Sequence, residues 1–513
     1  MVSWTDGYVA DIGYTHGYYR ELSPSLLSFV SLFRGISGPQ ADQTLTYCEL
    51  GCGQGFSANL LAAANPHIRF YVTDFNPTQI AGAKALADEA GTKNIHFYDM
   101  SFSEFEAAYE LPEYVDIIAF HGVYSWISAK NREEILKFIS KKLKIGGIVY
   151  CSYNCLPGWA SVTPLRKLMV LAGKGEEAGT KARLNKAFSI VDKIIEADSR
   201  YFQSHSGLKE RYEGIKSGNK SYISHEYFNR DWSAFAHADV AEDMARAKLT
   251  YLGSANILDH IPGVGLTAEQ QKLLDQIDDP FVAETVRDYI TNQQFRRDIY
   301  IKGSVPLRSL QAEQLWLGQR FALSQTAGKI QLKIKAAHGE AALQKDVYEP
   351  IIEALAQGPR TVREMSELPV VSKLGSGRLR EALAVLVGKG DCQPCLSPEG
   401  DEVRYERTRA LNKAILERAK DSSDLNWLCS PVTGAGIHVS RAFQLFILGL
   451  YEGRSETRDL AEYAWNILSS QNQRIVKNGK PIIETADNLV ELEERASKFT
   501  EELLPILKML RVL

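Results

Sequence analysis

The sequence predicts an α/β fold: a Rossmann-like seven-stranded sheet with a helical insertion, followed by a mostly α C-terminal half that is winged-helix-like. Strand and helix patterns alternate through residues 44–160, as in a parallel sheet flanked by helices. A glycine-rich turn joins the first predicted strand to its helix. From residue 160 to about 221 the apolar residues take a helical period, which predicts an insertion above the sheet.

The first predicted strand and the turn after it indicate the ligand. Thr46–Leu50 is a short β-forming run, and a second such run, Ile68 to Thr73, ends on Asp74. Three glycines follow the first run at every second position: Gly51, Gly53 and Gly55. Glycines let a ligand approach the main chain closely, and an acid that closes the second strand lies within reach of a ribose diol. The sequence therefore predicts a nucleotide-like ligand that contains a ribose.

The spacing of these glycines favours one ligand of that kind. A dinucleotide fingerprint is G-x-G-x-x-G. Here the glycines run G-x-G-x-G, and Glu49 precedes the first of them by two residues. The E-x-G-x-G-x-G form resembles motif I of class I methyltransferases, which bind S-adenosylmethionine. An NAD site and a glycine-rich turn without a ligand are the alternatives.

Further strands complete the predicted sheet. Ile95 to Tyr98 is a third strand that ends at Asp99, Val115 to Phe120 is an apolar fourth strand, and Ile148 to Tyr153 is the fifth. The stretches 246–255 and 295–302 each contain a further strand pattern. We expect these two to complete the sheet, with the last strand antiparallel.

The loops after the fourth and fifth strands carry the candidate catalytic residues. Ligands of open α/β sheets bind beyond the carboxyl ends of the strands, so these loops face the reacting group. The candidates are His121, Tyr124, Trp126, Tyr153 and Asn154. Aromatic rings, Trp159 among them, lower the pKa of a substrate amine by desolvation, and Asn154 would orient that amine. His121 is either a proton acceptor or a structural residue at the end of a buried strand.

The predicted cofactor site combines strand ends with the amino terminus. Tyrosines in the first 24 residues either pack the terminus onto the domain or form an aromatic lid, since a sulfonium cation is attracted to aromatic faces. Asp99 would accept from an adenine amino group, or it forms a turn before Ser101. The predicted cofactor-binding set is Tyr14, Tyr18, Glu49, Gly51, Gly53, Gly55, Asp74, Phe75, Asp99, Met100, Ser101 and His121.

The composition excludes several classes of protein. The 513-residue chain has a formal net charge of −4, so it lacks an overall positive field that would hold nucleic acid. The amino terminus lacks the runs of a signal peptide, and apolar stretches such as Ala442 to Leu450 are too short to span a bilayer. Seven cysteines, with a lone CxxC ending at Cys395, indicate reduced thiols and no metal site. We expect a cytoplasmic protein, monomeric or homodimeric.

The length suits about two to four domains. The predicted parts are the first part of the core (1–160), a helical cap (161–221), a block that completes the sheet (222–303), a connector (304–345), a winged-helix-like domain (346–410) and a C-terminal helical region (411–513). Three short helical patterns and then Val403-Arg404-Tyr405 give the winged-helix order. Its basic residues either face phosphate or form a solvated helix face: Arg378, Arg380 and Lys389.

The chain resembles bacterial methyltransferases that carry a methyltransferase regulatory domain, whose best-understood relatives are rickettsial-type protein-lysine methyltransferases acting on outer-membrane surface proteins. The motifs that carry the resemblance are GYTHGYYREL, ELGCGQGFS, TDFNP, HGVYSWI, GGIVYCSYNCLPGW and the block that runs from YISHEYF to QFRRDI. The resemblance implies S-adenosylmethionine as cofactor, S-adenosylhomocysteine as product, and methylation of lysines in a protein substrate, such as a surface protein before export. The alternatives are a small-molecule methyltransferase and a DNA-binding regulator that senses S-adenosylmethionine without catalysis.

Overall fold

One mixed sheet organises the N-terminal part of the protein. Its strands are β1 (Thr46–Leu50), β2 (Arg69–Asp74), β3 (Ile95–Asp99), β4 (Val115–Phe120), β5 (Leu143–Asn154), β6 (Leu249–Ser254) and β7 (Phe295–Lys302). They lie in the order β3-β2-β1-β4-β5-β7-β6, and β7 runs antiparallel to β5 and β6. The predicted Rossmann-like sheet of seven strands is confirmed. This computed structural model describes residue 8 and residues 13–174, 179–337 and 339–513.

Helices cover both faces of the sheet. The helices of this part are α1 (Pro24–Phe33), α2 (Phe56–Ala64), α3 (Pro77–Ala90), α4 (Phe102–Ala107), α5 (Ala129–Lys142), α6 (Thr163–Ala172), α7 (Thr180–Glu196), α8 (Arg200–Gln203), α9 (Leu208–Ser217), α10 (Lys220–Phe228), α11 (His237–Arg246), α12 (Ala268–Leu274) and α13 (Pro280–Thr291). Because side chains alternate along a strand, Tyr47 packs in the core with α1 to α3, and Cys48 packs in the core with α4, α5 and α11. With both faces covered, the carboxyl edge of the sheet is the place that remains for a ligand.

The insertion between β5 and β6 contains helices α6 to α10 and has a hydrophobic core of its own. The predicted apolar face of α7 lies in that core, where Leu184 and Val191 are fully buried. Its last helix, α10, returns to the sheet, since the Asn154 side chain at the end of β5 donates a hydrogen bond to Glu226 on α10. The insertion therefore places one buried helix beside the carboxyl edge of the sheet.

The C-terminal half packs on the same face of the sheet as α1 to α3, and one continuous hydrophobic core runs through both. Its helices are α14 (Ser309–Gly318), α15 (Lys345–Ala356), α16 (Val362–Ser366), α17 (Gly375–Lys389), α18 (Asp401–Arg418), α19 (Arg441–Tyr451), α20 (Thr457–Ser470), α21 (Thr485–Lys498) and α22 (Leu504–Met509). Its strands are β8 (Arg320–Leu323), β9 (Lys333–Ala336), β10 (Gly339–Ala342), β11 (Arg360–Thr361), β12 (Cys392–Cys395), β13 (Trp427–Ser430), β14 (Ala435–His438), β15 (Val476–Lys477) and β16 (Lys480–Pro481). Helix α18 lies against α2 and α3.

The winged-helix-like arrangement stays a prediction. Helices α15, α16 and α17 occupy the three predicted helical patterns, but Val403-Arg404-Tyr405 lies inside α18. The predicted connector supplies β8, which is the central strand of the sheet β11-β8-β12. Two of the basic residues are paired within the chain, because Arg380 contacts Glu313 and Lys389 contacts Asp391. Among the residues that the structure describes, no helix is long and apolar enough to cross a membrane.

A buried ion-pair cluster joins β7 to the layer of helices. The Arg296 guanidinium lies 2.7 Å from Asp288 and 3.0 Å from Asp298, and all three side chains are almost completely buried. Although burial alone would raise the pKa of Asp298, Arg296 and hydrogen bonds from His237 and Tyr153 lower this pKa to about 2. Burial raises the pKa of Asp288 to about 6, against the opposing charge of Arg296. At pH 7 both groups are therefore carboxylates that share the Arg296 guanidinium.

We expect Arg296→Met to destabilise the fold by about 3–5 kcal/mol, because it leaves buried carboxylates without their cation. Urea denaturation followed by tryptophan fluorescence measures this loss. The matched control is Arg458→Met, since Arg458 is 77% exposed in its pair with Glu462 and exposed pairs contribute about 1 kcal/mol or less. Equal losses in the two variants would contradict this account.

Candidate active site

A cavity of about 330 Å³ lies at the carboxyl ends of β1, β2 and β4. Its walls come from the N-terminal segment, the turn after β1, the loops after β2, β3 and β4, and helix α10. This is the edge at which open α/β sheets bind their ligands, and the volume suits a small organic molecule.

Main-chain atoms form the wall after β1. Gly51 and Gly53 have φ angles of 75° and 55°, in the left-handed region that favours glycine. A Cβ on Gly51 would lie 2.6 Å from a methyl group of Val123, so no other residue fits there without a shift. Gly53 lines the cavity, and its N–H donates to Asp74 at 2.9 Å. A ligand at this wall meets bare backbone.

Asp74, the last residue of β2, forms the facing wall. One carboxylate oxygen accepts from the Gly53 N–H and the other from the Asn76 N–H, at 2.9 and 3.0 Å. Burial raises the pKa of Asp74 to about 6, against the opposing effect of these hydrogen bonds. Above that pH the group is a carboxylate, an acceptor suited to the hydroxyl groups of a ribose.

Glu49 places a buried carboxyl group in the cavity wall. The residue is 4% exposed, and its Oε2 atom has no hydrogen-bond partner among the residues that the structure describes. Burial, and secondly the nearby Asp74, raise the pKa of Glu49 to about 8. An unsatisfied buried oxygen is costly in the free protein. A ligand that brings an ammonium group to this oxygen would remove that cost.

Aromatic rings line the N-terminal wall. Tyr19 stacks on His121 with ring centroids 3.8 Å apart, and Tyr14 meets His225 edge-on at 5.0 Å. Tyr8 lies 5.3 Å from the same His225 ring. Aromatic faces attract cations, so this wall suits a positively charged ligand.

His121 is better suited to supporting this wall than to accepting a proton. Burial, and secondly the charge on Arg297, lower the pKa of His121 to about 3. Its Nδ1 atom lies 2.8 Å from the Tyr150 hydroxyl, and its ring stacks on Tyr19. A group with so low a pKa stays neutral and is a poor base at pH 7. Of the two predicted roles for His121, the geometry favours the structural one.

Glu226 is a buried acid at the cavity that is not among the residues predicted from the sequence. It lies on α10, lines the cavity and accepts from the Asn154 side-chain amide at 3.1 Å. Burial raises the pKa of Glu226 to about 7, although the hydrogen bond from Asn154 opposes this. The signal was present in the sequence, because Tyr-Ile-Ser-His-Glu-Tyr-Phe places two ionisable residues between apolar and aromatic ones.

The structure brings most of the predicted cofactor set together. Residues of that set which line the cavity are Tyr14, Glu49, Gly51, Gly53, Asp74, Phe75, Met100, Ser101 and His121. Trp126, a candidate catalytic residue, lines it as well. These residues come from separate loops, and the parallel strands carry them to one edge.

Three residues of the predicted cofactor set are not part of the cavity lining: Tyr18, Gly55 and Asp99. The Tyr18 ring packs on Trp427 of the C-terminal half, with centroids 4.9 Å apart. Gly55 begins α2, and a Cβ there would lie 2.6 Å from the Ala83 Cβ, so its role is close packing. Asp99 ends β3 with an exposed side chain.

Four predicted catalytic or aromatic-pocket residues do not line the cavity: Tyr124, Tyr153, Asn154 and Trp159. The Tyr124 hydroxyl donates to Asp243 and the Tyr153 hydroxyl to Asp298, each at 2.7 Å, and both rings are fully buried. Trp159 packs in the core of the insertion. The Asn154 side chain donates a hydrogen bond to Glu226, which does line the cavity. Buried hydroxyls find partners inside the protein, which the sequence does not reveal.

Two family models match the chain. Residues 41–213 match a methyltransferase domain, and residues 219–302 match a predicted methyltransferase regulatory domain. The second match covers α10, which carries Glu226, and the strands β6 and β7.

Several proteins are similar to this chain. The uncharacterized protein sll1526 from Synechocystis sp. is 39% identical over 511 residues, which covers 100% of both chains. The uncharacterized protein RP789 from Rickettsia prowazekii is 26% identical over 56% of this chain and 51% of its own length. The solved structure of PKMT2 from Rickettsia typhi in complex with AdoHcy shares the fold, with a TM-score of 0.68 and 20% identity over 98% of this chain and 99% of that one.

The glycine turn and the acid at the end of β2 are typical of methyltransferases, and the matched domains belong to the same class of enzyme. Together they indicate S-adenosylmethionine as the cofactor. The chain therefore belongs to the same family as sll1526, and it is a class I S-adenosylmethionine-dependent methyltransferase that carries a methyltransferase regulatory domain.

Proposed function

We propose that this enzyme N-methylates lysine side chains of a protein substrate. The observation that carries the proposal is the buried Glu226 carboxyl, which lines the same cavity as the glycine turn. A lysine side chain is a long apolar stem that ends in a cation. It suits a cavity that is walled by aromatic rings and contains a buried acid.

Residues of this cavity fit S-adenosylmethionine. Glu49 would accept from its ammonium group and Asp74 from its ribose hydroxyls, while Met100 and Ser101, which follow β3, would border the adenine. The bound cofactor supplies an electrophilic methyl group. The glycine turn and the tyrosines would hold it in one orientation, which is the main contribution that a methyltransferase makes.

Glu226 would handle the proton that the amine must lose. A free lysine has a pKa near ~10.4, so only roughly one amine in 10³ is neutral at pH 7. Burial beside Tyr19 and Trp126 disfavours the charged amine. A carboxyl with a pKa of about 7 is matched to accept its proton at neutral pH. Asn154, which donates to Glu226, would fix the orientation of that carboxylate.

The cavity reaches the protein surface, which supports an acceptor carried by a large molecule. Tyr222 lines the cavity and is 48% exposed, and the Lys130 side chain in its wall is 85% exposed. A small-molecule methyltransferase with a completely closed cap would bury such residues. The likeness to PKMT2 along 98% of the chain agrees with a protein substrate, although at 20% identity it concerns the fold.

Incubation with S-[methyl-³H]adenosylmethionine and a cell lysate tests the acceptor. We expect label in the protein fraction, recovered as N-methyllysine after acid hydrolysis. Glu226→Gln should lower this transfer by about 10²-fold or more, the usual contribution of an acid–base group. The control Glu210→Gln alters an exposed carboxyl on α9 and should leave transfer unchanged. Label confined to small molecules, or released by mild base, would contradict lysine methylation.

Asp74→Asn should weaken cofactor binding by about 1–3 kcal/mol, because it removes a charged hydrogen-bond acceptor. Since the pKa of Asp74 is about 6 and that of Glu49 about 8, the Glu49→Gln variant isolates Asp74: its affinity should fall as the pH drops below about 6, where the Asp74 carboxylate becomes protonated. Titration calorimetry between pH 5 and 8 measures both effects. Asp88→Asn, on the exposed side of α3, is the control. Unchanged affinity in Asp74→Asn would exclude Asp74 from the site.

Cofactor binding at pH 7 should release a proton from Glu49. With a pKa of about 8, this carboxyl is mostly protonated in the free protein, and a bound ammonium group favours its ionised form. Calorimetry in two buffers of different ionisation enthalpy counts the protons released. Glu49→Gln should abolish this Glu49-dependent release. The same proton count in Glu49→Gln as in wild type would exclude Glu49 as the ammonium partner.

A further inference from the structure

The C-terminal half contacts a short stretch of the N-terminal part that borders the cofactor cavity: residues 13–19, which we call the N-terminal aromatic segment. Four of its residues line the cavity: Tyr14, Thr15, Gly17 and Tyr19. Tyr18 does not, because its ring is buried against Trp427 at the start of β13. Adjacent tyrosines of one segment thus face two different parts of the protein.

The backbone explains this division. Tyr19 is extended, with φ −117° and ψ 109°, and neighbouring side chains of an extended chain point to opposite sides. The position of the Tyr18 ring therefore sets the direction of Tyr19. Tyr19 in turn stacks on His121 at 3.8 Å, inside the cavity.

The β13–β14 hairpin fits closely around Tyr18. A Cβ on Gly436 would lie 3.0 Å from the Tyr18 ring, which is tighter than an ordinary contact. The turn of the hairpin is bonded to the N-terminal helices as well. The Gly434 carbonyl accepts from the Asn65 side chain at 2.8 Å, and the Thr433 carbonyl accepts from Ser25 at 3.0 Å.

The other side of the aromatic segment is tied to the glycine turn and α2. The Ser57 hydroxyl donates to the Gly17 carbonyl at 3.0 Å and accepts from the Tyr19 N–H at 3.1 Å. The Gln54 side chain donates to the Tyr14 carbonyl at 3.2 Å. The segment is therefore held between the cofactor site and the C-terminal half.

We propose that the β13–β14 hairpin is a positioning element for S-adenosylmethionine binding: through Tyr18 it holds Tyr14 and Tyr19 against the cofactor. Trp427 and Gly436 do not line the cavity, and both contact the Tyr18 ring. This assigns the C-terminal half a task in the methyltransferase reaction that does not depend on which acceptor the enzyme uses.

Calorimetric titration of the full-length protein tests the proposal. Trp427→Ala should raise the Kd for S-adenosylmethionine by about tenfold, a usual size for coupling between separate sites. Trp427→Phe keeps a ring against Tyr18 and should restore affinity to within about twofold. Gly436→Ala should raise the Kd in the wild type and have no further effect in a Tyr18→Ala background, because the ring it displaces is gone.

Gly377→Ala is the matched control, since it adds the same methyl group in the C-terminal half at a glycine with nothing within 4 Å. Its Kd should equal that of the wild type. Denaturation midpoints of all variants separate a loss of affinity from a loss of folding. Wild-type Kd values in both Trp427→Ala and Gly436→Ala would overturn the proposal, as would additive effects of Gly436→Ala and Tyr18→Ala. Failure of Asp74→Asn to affect binding would instead overturn the cofactor assignment itself.

Discussion

The hydrogen bond from the Gly53 N–H to the Asp74 carboxylate joins the two walls of the active site. It ties the turn after β1 to the end of β2, so the bare main chain and the acid face one cavity. Gly53 has a left-handed backbone, which glycine adopts freely, and the Asp74 carboxylate is buried. A buried carboxylate is unfavourable by itself, and the sheet holds it in place because every residue of β1 pairs with β2.

Buried acids give the cavity its chemical character. Glu49, Asp74 and Glu226 all line it, and burial raises the pKa of each. A pocket of this kind costs the free protein stability and selects a ligand that brings positive charge. S-adenosylmethionine carries a sulfonium and an ammonium group, and the proposed lysine acceptor carries another. The same electrostatic feature would therefore serve the cofactor and the acceptor.

The C-terminal half belongs structurally to the enzyme core. One hydrophobic core runs from α1 to α3 through α18 and the β13–β14 hairpin, so the two halves bury each other's apolar surface. The relative sll1526 is similar over the whole chain, and PKMT2 shares the fold over 98% of it. A half that only carried a separate binding activity would not need so extensive a contact.

The sequence alone determined the sheet, its one antiparallel strand and the ligand class, because apolar periodicity and glycine spacing are local properties of the chain. It also placed Glu49, Asp74 and Trp126 at the cavity. Only the tertiary structure decided which neighbouring side chain faces the ligand. Tyr18 turns to Trp427 while Tyr19 turns to His121, and Tyr124 and Tyr153 bond to distant aspartates. Glu226 lies on a helix that follows the glycine turn by more than 150 residues in the sequence. The physical reason is that contacts between distant segments fix the direction of a side chain, and a local pattern does not contain them.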